Sequence, residues 1–249
     1  MKKVEIGNAT LYCGDSFDIL PMLDVVADAV ISDPPFGITN CKWDKPIPLN
    51  TFWNMIEPRT KQSANYVLFG CGGFTTDLII SKRKWHRYDM IWVKSKKCGF
   101  LNANLMPMRN HESILVFGRP GYRKASTYRP QKTLGGRERI TIRNHKSTVY
   151  KNKGEFTHVS DGLQHPSSVL YFQSEFGQHS TQKPIPLMEH LIKSYSNEGE
   201  TVLDCFMGSG STGVAAINTG RRFIGIERDE DIFNTAIERI RKANDELAF

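Results

Sequence analysis

Residues 201–227 constrain the fold of this chain more than any other stretch. An apolar run, Thr201-Val-Leu-Asp204, stops at an acid and enters Cys205-Phe206-Met207-Gly208-Ser209-Gly210-Ser211-Thr212-Gly213. Two glycines one residue apart let the chain turn sharply, and the small residues behind them (Gly213, Ala215, Ala216) suit a helix packed close to a sheet. Gly220 supplies the left-handed residue that ends such a helix. A second apolar run, Phe223-Ile-Gly-Ile-Glu227, again ends on an acid, 19 residues after Gly208. Strand, glycine turn, helix, strand and terminal acid in this order predict a βαβ unit with a carboxylate placed to hold ribose hydroxyls. The turn lacks Gly-Lys-[Ser/Thr], which argues against a phosphate-cradling nucleotide hydrolase loop. The bland alternative is an αβ turn that merely needs glycine. The complete unit favours a nucleoside-type cofactor.

The same alternation extends over most of the chain. Apolar runs at 29–32, 66–69, 90–93, 114–117, 201–204 and 223–227 read as strands, several without alternation, as in strands covered on both faces. Residues 185–195 place Leu187, Met188, Leu191 and Ile192 on one helical face, and 231–243 place Ile232, Phe233, Ala236, Ile237 and Ile240 likewise. The expected class is α/β, a mostly parallel doubly wound sheet. From 119 to 165 the chain has no clear period and reads as an inserted subdomain. The expected organisation is therefore two halves of one domain, 1–118 and 166–249, with 119–165 inserted between them. No apolar run is long enough to span a bilayer, and the N-terminus lacks the apolar core of a secretory signal. The five cysteines are scattered, without a metal-binding or disulfide spacing, so no metal site and a reducing cytoplasm are expected.

A second constellation lies near the other end. Asp28-Ala-Val-Ile-Ser-Asp33-Pro34-Pro35-Phe36 is a strand running into a loop. The two prolines fix φ and hold the preceding backbone extended, leaving carbonyls free to accept. A planar exocyclic amino group is a poor nucleophile because its lone pair is delocalised into the ring. Accepting its two N–H bonds at Asp33 and the Pro34 carbonyl draws the nitrogen toward sp³ as a bond forms, which favours the transition state. Phe36 is placed to stack on a base drawn out of a helix. A simple turn after a strand is the competing reading.

Together these residues resemble the β-group of S-adenosylmethionine-dependent DNA amino-methyltransferases. In that group the catalytic tetrapeptide comes first, the recognition region second and the glycine loop last, the order found here. Tyr12-Cys-Gly14-Asp15, the Arg109-Asn-His111-Glu112 strand and His179-Ser-Thr181-Gln182-Lys183-Pro184 match further family patterns, so the resemblance covers nearly the whole chain. Phe36 stands where Tyr is commoner, Ser180 and Cys205 where Pro is usual, and Ser211 where Thr is common. The resemblance implies a Rossmann-like methyltransferase fold and direct in-line methyl transfer to adenine N6 in double-stranded DNA. Cytosine N4 is the alternative and an RNA amino group a remoter one; a DNA-binding protein with a vestigial cofactor fold is the non-enzymatic rival. It assigns catalysis to Asp33, Pro34, Pro35 and Phe36. It assigns S-adenosylmethionine to Asp15, Thr181, Gln182, Lys183, Asp204, Phe206, Gly208, Ser209, Gly210, Thr212 and Glu227, with Thr181, Gln182 and Lys183 at the methionine end. It also implies a bacterial or phage-infected cytoplasm, a restriction-modification setting, and allows a homodimer.

Charge locates the expected DNA contact. The chain carries a net +7, and residues 119–165 hold eleven Lys and Arg against three acids, with Tyr122, Tyr128 and Tyr150 interspersed. Arg123, Arg129, Arg137, Arg139, Arg143 and Lys146 are the candidate DNA contacts there. Lys42 and Lys45 with Trp43 between them read equally well as a DNA-touching loop or as a Trp-anchored surface turn.

Overall fold

The computed structural model describes residues 1–39, 41, 44–145, 154–175 and 182–247, and the side chains of all of these except 136–145 and 154–160. They divide into two compact units, Met1–Arg129 with Ser168–Phe249, and Pro130–Ser167. The larger unit begins with β1 (Lys2–Ile6), β2 (Ala9–Cys13), α1 (Ser16–Ile19), β3 (Ala27–Ser32), α2 (Leu49–Ile56), β4 (Thr60–Gly70), α3 (Gly73–Ser81), β5 (His86–Cys98) and β6 (Arg109–Gly118). The smaller unit contains β7 (Thr133–His145) and β8 (Gly154–Gln164). The chain then returns to the larger unit through β9 (Val169–Tyr171), α4 (Ile185–Tyr195), β10 (Thr201–Asp204), α5 (Ser211–Asn218), β11 (Arg222–Glu227) and α6 (Glu230–Leu247).

Nine strands form one sheet, ordered β1-β2-β11-β10-β3-β4-β6-β5-β9. The pairings from β2 through β11, β10 and β3 to β4 are parallel, as is β5 with β9. The β1–β2, β4–β6 and β5–β6 pairings are antiparallel. Successive residues of a strand serve opposite faces, and the two cores show it. Ile31, Val67 and Phe69 join Leu187, Leu191, Val214, Phe233 and Ile240 on the face of α4, α5 and α6. Val30, Tyr66 and Leu68 join Phe52, Trp53, Phe74 and Leu78 on the face of α2 and α3. This double cover is why those strands read as unbroken apolar runs. A Cβ on Gly213 would lie 2.4 Å from Ile240 Cδ1 and 2.8 Å from Phe223 Cε1, so glycine lets α5 approach α6 and β11.

The chain reverses its direction of winding between β10 and β3. From β10 it proceeds outward to β11, and from β3 it proceeds the other way to β4. The carboxyl ends of these two neighbours flank the crevice where open α/β sheets place ligands. Both constellations found in the sequence open from this edge.

The expected insertion differs from the compact unit at both ends. Residues 119–129 fold with the larger unit, where Arg119 donates to the carbonyls of Lys61 (2.7 Å) and Glu57 (2.5 Å). In the smaller unit β7 and β8 pair antiparallel from Thr133↔Gln164 to His145↔Gly154, with a register shift between Leu134 and Glu138. In β7 only Arg139-Ile-Thr-Ile-Arg143 alternates apolar and polar residues, too short a stretch to mark a strand among charged and glycine neighbours.

Candidate active site

Asp33 follows β3 directly and meets three other charges brought from separate parts of the chain. Its Oδ2 is paired with the ammonium of Lys183, just ahead of α4. Lys183 Nζ also lies 3.3 Å from Glu112 Oε2, and Glu112 Oε1 accepts from Lys94 Nζ at 2.6 Å. Glu112 and Lys94 belong to β6 and β5, whose register pairs Trp92 with Glu112. The ring of Phe69 lies 4.9 Å from the Lys183 ammonium. Two carboxylates and two ammonium groups thus form a cluster that is neutral when fully ionised. Burial works against the Lys183 charge, but Asp33 and Glu112 reverse this and hold the lysine protonated. Burial also opposes the Glu112 charge, yet Lys183 and Lys94 keep that carboxyl below its usual range. For Asp33 burial prevails and pushes the carboxyl up, with Lys183 opposing and Glu112 adding to the rise.

The other oxygen of Asp33 is different. Oδ1 is buried and has no hydrogen-bond partner among the described residues. No described donor reaches the Pro34 carbonyl either. A buried acceptor left unpaired is costly, so Asp33 Oδ1 is suited to a donor from outside the chain, with the Pro34 carbonyl next to it in sequence. Phe36 packs beside it, its ring 5.5 Å from that of Phe74.

Across the crevice, Gly208 and Gly210 turn the chain with φ of 52° and 81°. A Cβ on Gly208 would meet nothing within 4 Å, whereas one on Gly210 would come within 3.2 Å of Ala236 Cα. Gly208 therefore faces open space and Gly210 permits packing against α6. Glu227 ends β11 and accepts from the N–H groups of Gly208 (3.0 Å) and Asp229 (2.8 Å). Each of its oxygens keeps acceptor capacity, and burial pushes its carboxyl up. Gly14 donates its N–H to the Glu227 carbonyl at 2.9 Å, which brings Asp15 beside this acid. One Asp15 oxygen caps α1 by accepting from Phe17 N–H at 2.8 Å.

The profile of a family described as DNA methylase, of the N6/N4 type, matches residues 27–238. The chain belongs to the N6/N4 DNA methylase family. The Type II methyltransferase M1.MboII of Moraxella bovis is 27% identical over 242 residues, 88% of this chain and 92% of that protein. The DNA adenine methyltransferase YhdJ of Escherichia coli is 43% identical over 72 residues, which cover 29% of this chain and 24% of YhdJ. Among solved structures, the M1.HpyAVI–SAM complex superposes with a TM-score of 0.63 at 24% identity, covering 93% of this chain and 99% of that one. The cytosine-N4-specific PvuII DNA methyltransferase gives 0.65 at 14% identity, covering 97% and 93%. These likenesses establish the methyltransferase fold.

Within this methylase, four of the residues expected at the cofactor, Lys183, Asp204, Phe206 and Thr212, have partners inside the protein. Lys183 turns to Asp33 and Glu112. Asp204 is buried and spends its oxygens inside the protein, accepting from Ser32 Oγ (2.5 Å), Thr212 Oγ1 (2.6 Å) and Phe206 N–H (3.0 Å). Asp204 and Thr212 thereby tie β3, β10 and the start of α5 together. Phe206 rests on Phe52, with ring centroids 5.9 Å apart. Ser209 Oγ donates to Gln182 Oε1 at 3.5 Å, which brings Gln182 against the glycine loop.

Of the expected DNA contacts, Arg129 donates to Asn197 Oδ1 at 2.6 Å, while Arg123 and Lys45 are exposed. Arg137, Arg139 and Arg143 lie on β7. Lys42, Trp43, Lys146 and Thr181 fall outside the described residues.

Two positioning residues were not anticipated. Buried Asp44 accepts from the N–H groups of Gly37 (2.7 Å), Ile38 (3.0 Å) and Thr39 (2.7 Å), fixing the loop that follows Phe36. Its acid lies nine residues beyond Pro35 with no motif around it. Arg239 of α6 donates to Ser209 O (2.6 Å) and Oγ (2.9 Å), bracing the glycine loop. In the sequence it is one more cation on an amphipathic helix.

Proposed function

We propose that this DNA amino-methyltransferase methylates adenine N6 in double-stranded DNA, using S-adenosylmethionine. The observation that carries the reading is the unpaired, buried Asp33 Oδ1 beside the bare Pro34 carbonyl, at the carboxyl edge of the sheet and next to the glycine loop. The open space at Gly208 and the acceptor capacity of Glu227 fit a nucleoside with a ribose, and the M1.HpyAVI complex supports this choice of cofactor. When bound, S-adenosylmethionine supplies the methyl group.

The chain's own residues do the rest. Asp33 Oδ1 and the Pro34 carbonyl accept the two N–H bonds of the amino group. That withdraws its lone pair from ring conjugation and stabilises positive charge as it develops on nitrogen. Lys183 opposes the effect of burial on the Asp33 carboxyl and so favours its ionised form for that task. Phe36 offers a ring face for the extruded base. Gly208, Glu227, Asp15 and Gln182 are the groups available to hold the cofactor. Adenine is favoured over cytosine by the acid that leads the tetrapeptide and by the likeness to YhdJ.

Incubation with labelled S-adenosylmethionine and either DNA or RNA, followed by identification of the modified nucleoside, tests this directly. N6-methyladenine in DNA is expected. N4-methylcytosine as the main product would overturn the choice of base, and labelled RNA beside unlabelled DNA would overturn the substrate.

A further inference from the structure

Strands β5 and β6 form a hairpin whose tip presents an unusual surface. Phe100, Leu101, Leu105 and Met106 are 78%, 97%, 83% and 57% exposed. Single exposed apolar residues need no explanation, but four large ones on one short loop mark an interaction site. The loop is not a slack segment. Cys98 pairs with Arg109 at its base, Gly99 adopts φ 92°, and the backbone bonds itself at Asn102→Gly99 (3.0 Å), Ala103→Phe100 (3.0 Å), Leu105→Asn102 (2.9 Å) and Met106→Asn102 (3.0 Å). The apolar side chains are thus carried on a preformed, self-bonded knob.

Charge says what kind of partner fits. None of residues 90–111 is acidic, and exposed Lys96, Lys97 and Arg109 flank the knob. An apolar tip flanked by basic residues complements a polyanion whose interior is apolar and stacked. Position says where it would act. The same two strands carry Lys94 and Glu112 of the Asp33 cluster, and β5 runs parallel to β3 through the intervening β4 and β6, so the knob leaves the sheet at the catalytic edge. Arg109 stands three residues beyond Glu112, roughly 10 Å along an extended strand.

We infer that the 99–107 knob is a wedge that enters duplex DNA at the step vacated by the extruded base, with Phe100 and Leu101 filling the gap and the flanking cations on phosphates. This rests on the proposed reading of the enzyme as one that acts on an extrahelical base in DNA. Removing a base from the stack costs a few kcal/mol, and apolar side chains inserted between base pairs offset such losses in other DNA-bending proteins.

The test compares two duplexes carrying the site mapped from the methylated product, one with the target base paired and one with it opposite an abasic site. The double variant Phe100→Ser/Leu101→Ser should lower kcat/KM on the paired duplex by about tenfold or more, the equivalent of 1.4 kcal/mol or more. On the abasic duplex, where little pairing remains to be broken, it should stay within about twofold of the unaltered enzyme. Both residues are exposed, so the melting temperature should not move, and a melting curve checks this. Equal loss on the two duplexes, or no loss on either, overturns the wedge. Conversion of a dimer to a monomer in sedimentation would assign the knob to a second copy instead. Failure of the unaltered enzyme to methylate any DNA would be a failure of the underlying reading, and is scored separately by the nucleoside assay.

Discussion

Asp33 holds its two carboxylate oxygens in unlike settings, one paired with Lys183 and one bare. On the proposed reading the bare oxygen meets the substrate amino group, so Asp33→Ala should abolish transfer, by roughly a thousandfold or more, while leaving cofactor affinity nearly intact. Equilibrium binding of S-adenosylmethionine beside single-turnover rates checks both halves; equal loss of both would show that Asp33 belongs to the cofactor site. The paired oxygen sets the pH range. Without Lys183, burial and the Glu112 charge both favour the protonated form of Asp33. Lys183→Gln should therefore raise the pH below which kcat/KM falls, and Lys183→Arg should largely restore it. A lower rate with an unmoved acidic limb would reduce Lys183 to a packing group. Asp204 makes a different prediction, on stability. Burial pushes its carboxyl up to about 6 from the usual 3.8, so the folded state binds this proton more tightly than the unfolded chain does. Stability from this group is fullest in acid and falls as pH rises through about 4 to 6. Asp204→Asn, which retains an acceptor for Ser32 and Phe206, should thus gain on the unaltered protein between pH 4 and 7 by about 2–3 kcal/mol. Denaturant melts at the two pH values measure the difference.

The glycine loop separates two jobs that a single motif conceals. Gly208 and Gly210 both need positive φ, but a side chain at 208 would project into open space and one at 210 into the backbone of α6. Gly210→Ala should cost several degrees of melting temperature. Gly208→Ala should cost less stability, about 1–2 kcal/mol of backbone strain, and act mainly by raising the KM for S-adenosylmethionine. The reverse pattern would exchange their roles. This division was not legible in the sequence, which shows two glycines and not what faces them. The strands β10 and β11 were legible because apolar runs end there on acids. β1, Lys2-Lys-Val-Glu-Ile, was not, because an edge strand half in water carries charge; nor was β9, with only three residues. The hairpin β7–β8 escaped for a related reason, since its one alternating stretch, Arg139-Ile-Thr-Ile-Arg143, is short and set among charges. At the site, the motifs marked Asp33 and Lys183 separately. Their contact joins residues 150 positions apart, and only the packing of α4 against the sheet reveals it.

The net charge of +7 is also redistributed once the units are seen. Four cations of 119–165, at positions 119, 123, 124 and 129, belong to the larger unit, and Arg119 and Arg129 are committed to it by hydrogen bonds. Pro130–Ser167 keeps seven Lys and Arg against three acids, so it remains the denser in positive charge, with Arg137, Arg139 and Arg143 on a hairpin of a width that a DNA groove admits. If these three neutralise phosphates, each releases about one counterion, and log K for non-specific duplex DNA plotted against log salt should become shallower by roughly 0.9 for each one removed. The triple change Arg137→Ala/Arg139→Ala/Arg143→Ala should then flatten the slope by about 2–3. Substitution of Arg119 should leave the slope alone and lower the melting temperature instead, because its guanidinium already serves the carbonyls of Glu57 and Lys61. A fluorescence-anisotropy titration of a labelled duplex at several salt concentrations distinguishes them. An unchanged slope in the triple variant, with affinity also unchanged, would remove the hairpin from the DNA interface and leave the larger unit as the surface that meets phosphate.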